Sequence, residues 1–95
     1  MFTTMGVPRQ ERPRRFDGGA MGWVIVEFPG SREVFVDDKT QGSNRDVDGY
    51  YRTLLVEDGL HTFRLSGTDV APPFQDARVK NTGILHPLRV VFTQV

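Results

Sequence analysis

The polar stretch 44–49 has side chains spaced like the ligands of a calcium loop. The matches to positions one, three, five and six of an EF-hand loop are Asn44, Asp46, Asp48 and Gly49. Position nine falls on the cation Arg52, and position twelve falls on Leu55, where a bidentate Glu is needed. We therefore interpret the stretch as a polar turn whose side chains bond nearby backbone, and we expect neither a metal nor a cofactor.

Acidic residues near this stretch raise the question of acid–base chemistry. Asp37 and Asp38 could pair with Asp46 or Asp48 as two carboxylates of the kind that hydrolyse glycosides. Such a pair needs a shielded cleft that shifts the pKa of one carboxyl group. A chain of 95 residues has little volume for one, so we interpret these carboxylates as solvated turn residues.

The remaining reactive side chains do not form a catalytic pattern. Two histidines, His61 and His86, without a third regularly spaced ligand do not define a zinc site. We expect His61 to be a half-buried, hydrogen-bonded imidazole near a sheet edge. The serines flank predicted turns, and the absence of Cys excludes a thiol nucleophile, a disulfide and a thiolate metal site. We expect the protein not to be an enzyme.

Tyr50 and Tyr51 are the strongest candidates for contact with a partner. Adjacent residues of a strand point to opposite faces, so at least one of the two rings is expected at the surface. Tyr is enriched in protein interfaces because its ring gives rigid, amphipathic contact area. The alternative is that both rings cover the end of the core.

An arginine-rich amino-terminal segment is the second candidate contact. Residues 1–21 contain two Pro, three Gly and four Arg but no sustained apolar period, so we expect a disordered arm. Arg14 and Arg15 could hold nucleic acid or acidic lipid in a salt-dependent way. Four Arg against Glu11 and Asp17 give the arm a net charge of only +2, and the whole chain is neutral. We favour a solubilising tail over a nucleic-acid contact.

From residue 23 onward, short β-like runs alternate with turns. Runs at 23–28, 32–37, 52–56, 61–65 and 75–80, and a last run from Leu88, predict strands. Residues 29–31 have a length typical of a hairpin connection, and 38–51 are expected to be a loop. The inward positions give the expected core: Val24, Val26, Val36, Leu54, Phe63, Val79, Val90 and Phe92.

Six or seven short strands at about ten-residue spacing, without a helical period, predict an all-β fold. We expect a small antiparallel β-sandwich or open barrel over residues 22–95, in one domain. No apolar run approaches the roughly 18 residues of a membrane helix, so membrane insertion is not expected. Without a recognisable signal peptide, the cytoplasm is the default location.

Two segments resemble the PEGA domain. The first comprises 24–31 and then 34–39, with Gly42 after them, and it is similar to the family's strand ending in a Pro-x-Gly-type turn followed by a Val-x-Val-Asp-Gly-like strand. The second is 54–65, which resembles its Leu-x-x-Gly-x-His-x-Val hairpin. The resemblance covers residues 23–65 well and the rest in outline. It implies a bacterial β-sandwich of signalling or envelope proteins, assigned to interaction rather than catalysis.

The sequence departs from this pattern in three places. Asp38 stands where the family often has Gly, Ser43-Asn44 replaces a Thr-Pro, and residues 45–51 lengthen the connection. Independently of the family, Gly42 and Gly59 are expected at backbone positions that penalise a Cβ.

These observations favour a non-catalytic, PEGA-like protein-interaction module. It would dock through a sheet edge or through the loop carrying Tyr50 and Tyr51, onto another protein whose identity the sequence does not give. The first alternative is a structural component of a larger bacterial or phage assembly in which the arm with Arg14 and Arg15 orders on a neighbour. The second is a nucleic-acid-binding β-barrel, and self-association is a further option.

Overall fold

The structure is a computed structural model that describes residues 20–95. These residues form nine β-strands and no helix, which confirms the predicted all-β class. The strands are β1 (Met21–Glu27), β2 (Glu33–Val36), β3 (Lys39–Ser43), β4 (Leu54–Glu57), β5 (Gly59–Leu65), β6 (Val70–Ala71), β7 (Gln75–Val79), β8 (Leu88–Val91) and β9 (Thr93–Gln94). Within this range, no helix is long and apolar enough to cross a bilayer.

Two larger sheets and a short ribbon make up the sandwich. The first sheet has the order β4-β1-β8, the second has the order β3-β2-β5-β7, and β6 pairs with β9. Among these strand pairs, the parallel pairing of β1 with β8 is the one departure from the predicted antiparallel arrangement. The strands from β2 to β7 lie between β1 and β8 in the chain, so these two strands have the long connection that a parallel pair requires.

The core lies between the facing sides of the two larger sheets. In β1 the side chains of Val24 and Val26 are buried, whereas Trp23 and Ile25 on the outer face are half-buried. All eight predicted core residues are buried, which confirms the predicted faces of the strands. Burying one such aliphatic or aromatic side chain contributes about 1.5–3 kcal/mol. The further buried apolar residues are Phe28, Val34, Val56, Leu65 and Val70.

The predicted hairpin through residues 29–31 is wrong. These residues carry the chain from β1 in the first sheet to β2 in the second. The reason is that β4 and β8 already occupy both sides of β1, so no edge of β1 is left for β2. The hairpin implied for residues 54–65 is also absent, because β4 and β5 lie in different sheets.

The predicted loop 38–51 contains a strand. Its first part, β3, pairs antiparallel with β2. Asp37 and Asp38, at φ 51° and 66°, form the two-residue turn between these strands, since a hairpin turn of this length favours positive φ and Asp tolerates it. Gly42, at φ 84°, lies in a β-bulge of β3, and Gly59 has φ 134°. Both glycines therefore occupy positions that penalise a Cβ, as predicted.

Candidate functional site

Residues 45–51 form a closed loop between β3 and β4, called the 45–51 loop below. An isolated β-bridge joins Arg45 and Tyr51 at its base. The backbone N–H of Asp46 donates to the carbonyl of Tyr50 at 2.8 Å, and the N–H of Gly49 donates to the carbonyl of Asp46 at 3.0 Å. Gly49 has φ 89°, a conformation that glycine adopts without a steric cost. The loop is thus a compact reversal with its own hydrogen bonds.

The Asp46 carboxylate holds the interior of this loop. Its Oδ1 accepts hydrogen bonds from the backbone N–H groups of Asp48 at 2.9 Å and Tyr50 at 3.0 Å. This is the local side-chain-to-backbone bonding that the sequence predicts for a polar turn. Within residues 20–95, no group of three or more Asp, Glu or His side chains is placed to hold a metal ion.

The Arg45 side chain ties the 45–51 loop to the end of β1. Its Nη2 donates to the carbonyl of Phe28 at 2.8 Å, and its Nε donates to the carbonyl of Gly30 at 3.2 Å. Its Nη1 reaches back to the carbonyl of Gly49 at 2.7 Å. One guanidinium therefore bonds two separate segments of backbone, which the planar, multiply donating head of Arg permits.

The Tyr51 ring completes this anchor. The Arg45 guanidinium carbon lies 4.1 Å from the ring centroid, a cation–π distance. The Tyr51 hydroxyl donates to the carbonyl of Phe28 at 3.1 Å, and it accepts from Arg45 Nη2 at 3.0 Å and from the Phe28 N–H at 3.2 Å. Tyr51 is half-buried, so within this chain it supports the loop.

Asn44 directly precedes the 45–51 loop, and its side chain is fully buried. Its Oδ1 accepts from the backbone N–H of Arg32 at 2.8 Å. Its Nδ2 donates to the carbonyls of Val26 and Gly30, both at 3.3 Å. A buried amide with three partners satisfies backbone groups that no strand ladder reaches. The sequence predicts local bonding for this residue, whereas its partners lie 12 to 18 positions away.

Two apolar side chains project from the 45–51 loop. Val47 is fully exposed, and Tyr50 is 72% exposed. This confirms that at least one of the adjacent tyrosines lies at the surface. The other candidate contacts, Arg14 and Arg15, lie outside the described residues, as does the predicted arm apart from its last two residues.

An ion pair between Arg32 and Asp69 holds the link between β1 and β2. The Arg32 guanidinium donates to both carboxylate oxygens of Asp69, at 2.6 and 2.9 Å, and its carbon lies 4.9 Å from the centroid of the Phe28 ring. Hydrogen bonds from Arg32 and from the Gln94 amide hold the pKa of Asp69 well below its usual range. The same bond to Asp69 raises the pKa of Arg32.

One of the acidic residues considered for acid–base chemistry, Asp37, has structural partners. The Asp37 carboxylate accepts from the Thr62 N–H at 2.9 Å and lies 2.6 Å from His61 Nδ1, and these two bonds lower the pKa of Asp37. His61 Nε2 lies 2.6 Å from the carbonyl of Glu57. The imidazole is therefore half-buried and hydrogen-bonded as predicted, although β5 is an interior strand rather than an edge.

No protein-family model, curated protein or solved structure matches this chain. Its function must be inferred from its own residues.

Proposed function

We propose that this chain is a non-catalytic protein-interaction module that contacts its partner with the 45–51 loop. One observation carries the proposal: Val47 and Tyr50 stand exposed on a loop whose base is fixed by hydrogen bonds. Neither side chain belongs to the buried core of this domain, so packing within residues 20–95 does not account for them.

The energetics of association favour this arrangement. Ordering loops and side chains on association has an entropic cost that weakens binding. A loop already held by its own hydrogen bonds therefore binds with a smaller entropic cost. Tyr is among the residues that contribute most to interfaces, and truncating such an anchor commonly costs about 2 kcal/mol or more. The Arg45 and Asp46 bonds place the Tyr50 backbone before any partner arrives.

The surroundings of Tyr50 indicate the chemistry of the partner. Asp46 and Asp48 are exposed beside Val47, whereas the nearest cation of the loop, Arg45, is bonded to backbone carbonyls. The exposed part of the loop therefore combines an aromatic ring, an aliphatic group and negative charge. Such a surface fits a protein with an apolar depression rimmed by Lys or Arg. The PEGA-like sequence pattern supports the same class of function.

Affinity capture from a lysate of the native organism tests this proposal. The test variant combines Val47→Ser with Tyr50→Ala, and the control combines Val91→Ser with Phe74→Ala, since Val91 and Phe74 are 51% and 57% exposed elsewhere. We expect the test variant to lose the captured protein and the control to retain it, with unchanged melting temperatures. Loss of capture in an Arg14→Ala, Arg15→Ala variant, with the loop variant unaffected, would instead place the contact on the arm.

A further inference from the structure

Both ring nitrogens of His61 face hydrogen-bond acceptors. Nδ1 lies 2.6 Å from a carboxylate oxygen of Asp37, and Nε2 lies 2.6 Å from the carbonyl oxygen of Glu57. A neutral imidazole has a single N–H donor, so it can bond only one of these two acceptors. Both contacts are hydrogen bonds only when the ring carries two protons, as an imidazolium.

Neither acceptor can supply the second proton. A backbone carbonyl has none, and the Asp37 carboxylate is held in its ionised form. Its Oδ1 accepts from the Thr62 N–H at 2.9 Å, and this bond together with the His61 bond lowers the pKa of Asp37. The side chain of His61 is only 14% exposed, so little of the ring is open to water that could replace a lost partner. The protonation of the ring therefore decides which of its two contacts hold.

The Glu57 carbonyl lies on the outward edge of β4. The Asp58 N–H donates to the carbonyl of Ala20 at 2.9 Å, which sets the alternation of the β1–β4 ladder. By that alternation, the backbone groups of Glu57 point away from β1. His61 on β5 of the second sheet thus bonds an edge carbonyl of the first sheet, and the same ring holds Asp37 in the turn between β2 and β3. One side chain joins the two sheets at this edge.

We propose that His61 is a proton-dependent latch between the two larger sheets. As an imidazolium it bonds Asp37 and Glu57 at once. When the ring loses one proton, Nδ1 keeps its own, because a hydrogen bond to a carboxylate is stronger than one to a neutral carbonyl. Nε2 then presents a lone pair to the Glu57 carbonyl, and the contact at the β4 edge opens. Since histidine side chains change charge between about pH 5 and 8, the latch releases as the pH rises through this range.

The charged groups around the ring lie on both sheets. His61 lines a cavity of about 290 Å³ together with Asp37, with Lys39 of β3 and with Glu57 of β4. The residue paired with His61 on β7, Ala77, is uncharged. Nearby charged residues that do not line this cavity are Asp58, Asp76 and Arg78. Two acidic residues, one lysine and an imidazolium balance to zero charge, so release of the proton leaves the cavity with a net negative charge. This inference does not depend on the proposed role of the 45–51 loop.

NMR of the full chain with ¹⁵N-labelled imidazole rings tests the latch. As the pH rises from about 5 to 8, we expect His61 to keep its Nδ1 proton while its Nε2 signal moves to the position of an unprotonated nitrogen. The internal control is His86, which is exposed and should take the Nε2-protonated form that is usual in water. A His61 ring that loses the Nδ1 proton instead, or whose charge does not change over this range, would overturn the proposal.

The carbonyl carbon shift of Glu57 reports the release of the β4 edge. We expect this shift to titrate together with the Nε2 signal in wild type and to stay constant in His61→Gln, which removes the titrating ring. The Leu55 carbonyl, two residues away on the same strand, should not follow the ring, and this control needs no variant. A Glu57 shift that ignores the titration of His61 in wild type, or one that titrates equally in His61→Gln, would refute the latch.

Discussion

The guanidinium of Arg45 both stacks on the Tyr51 ring, at 4.1 Å, and donates to the Tyr51 hydroxyl, at 3.0 Å. The same head bonds the carbonyls of Phe28 and Gly49, so it links the 45–51 loop to the end of β1. A lysine ammonium carries the same charge but cannot reach these partners in one plane.

The first prediction is that Arg45→Lys destabilises the fold. Leaving one or two of its carbonyl partners without a donor should cost about 1–3 kcal/mol in the free energy of unfolding. Urea denaturation followed by fluorescence measures this loss. The control is Arg64→Lys, since Arg64 also stacks at 4.1 Å, on Phe35, but is 41% exposed. Its substitution should cost about 1 kcal/mol or less. Equal losses would show that the bonds of Arg45 to backbone contribute nothing specific.

The second prediction concerns Asn44. Asn44→Ala removes the partners of the Arg32 N–H and the Val26 carbonyl from a buried site. Since a buried group left unpaired costs about 1–3 kcal/mol, we expect a loss of about 2 kcal/mol or more. Gln41→Ala, which removes an amide with one weak bond of 3.4 Å at a half-exposed position, is the control. An Asn44→Ala protein as stable as this control would mean that water or a shifted strand replaces the amide.

The third prediction tests the faces of β5. Phe63 is fully buried between the two larger sheets, so Phe63→Ala should cost about 3–5 kcal/mol. For a domain of this size, that is a large part of the total stability. Phe74→Ala makes the same change at a ring that is 57% exposed, and it should cost far less. Similar melting temperatures for the two variants would indicate that β5 has slipped by one residue, which exchanges its faces.

The fourth prediction is a pH dependence at Asp69. Its pKa is held below the ordinary value of 3.8 by Arg32 and Gln94 in the folded state. The unfolded chain therefore binds a proton first as the pH falls. The stabilisation by this carboxylate is present above its ordinary pKa and is lost as the pH falls toward the lower folded pKa.

The measurement is the melting temperature of wild type and Asp69→Asn from about pH 7 down to about pH 2. Wild type should be more stable at neutral pH, and the difference should shrink below about pH 4. Asp48→Asn makes the same change at an exposed carboxylate and should show no such trend. Because the Asp69 side chain is 36% exposed, salt should also reduce the difference. A difference that stays constant with pH would contradict the assignment.

Apolar alternation made most of the fold predictable. The runs around Val24, Phe63 and Val90 place Val, Phe or Leu at alternate positions, and the buried apolar residues of β1, β5 and β8 fall on these positions. The strand β3 escaped prediction because its five residues, Lys39–Ser43, include no apolar side chain. It is fixed by pairing with β2 and by the turn at Asp37 and Asp38, and not by burial.

Which strands pair with each other was harder to predict from the sequence than where the strands lie. The sequence of the three-residue link after Phe28 does not show whether the chain turns back beside β1 or crosses to another sheet. The crossing follows from the pairing of β4 and β8 with both sides of β1. The anchoring of the 45–51 loop was hidden for a related reason. Asn44 and Arg45 bond backbone groups of residues 26–32, and such long-range side-chain contacts leave no periodic signal.

The most direct test of the proposed contact is site-specific photocross-linking in the native organism. A benzophenone amino acid replaces Val47 in one strain and Phe74 in another, since both side chains are exposed in separate parts of the sandwich. After irradiation, we expect a discrete covalent adduct between the Val47-substituted chain and one other protein, identified by mass spectrometry, and no such adduct from position 74. An adduct from position 74 alone, or none from position 47 while the wild-type chain still captures a partner, would contradict the assignment of the contact to the 45–51 loop.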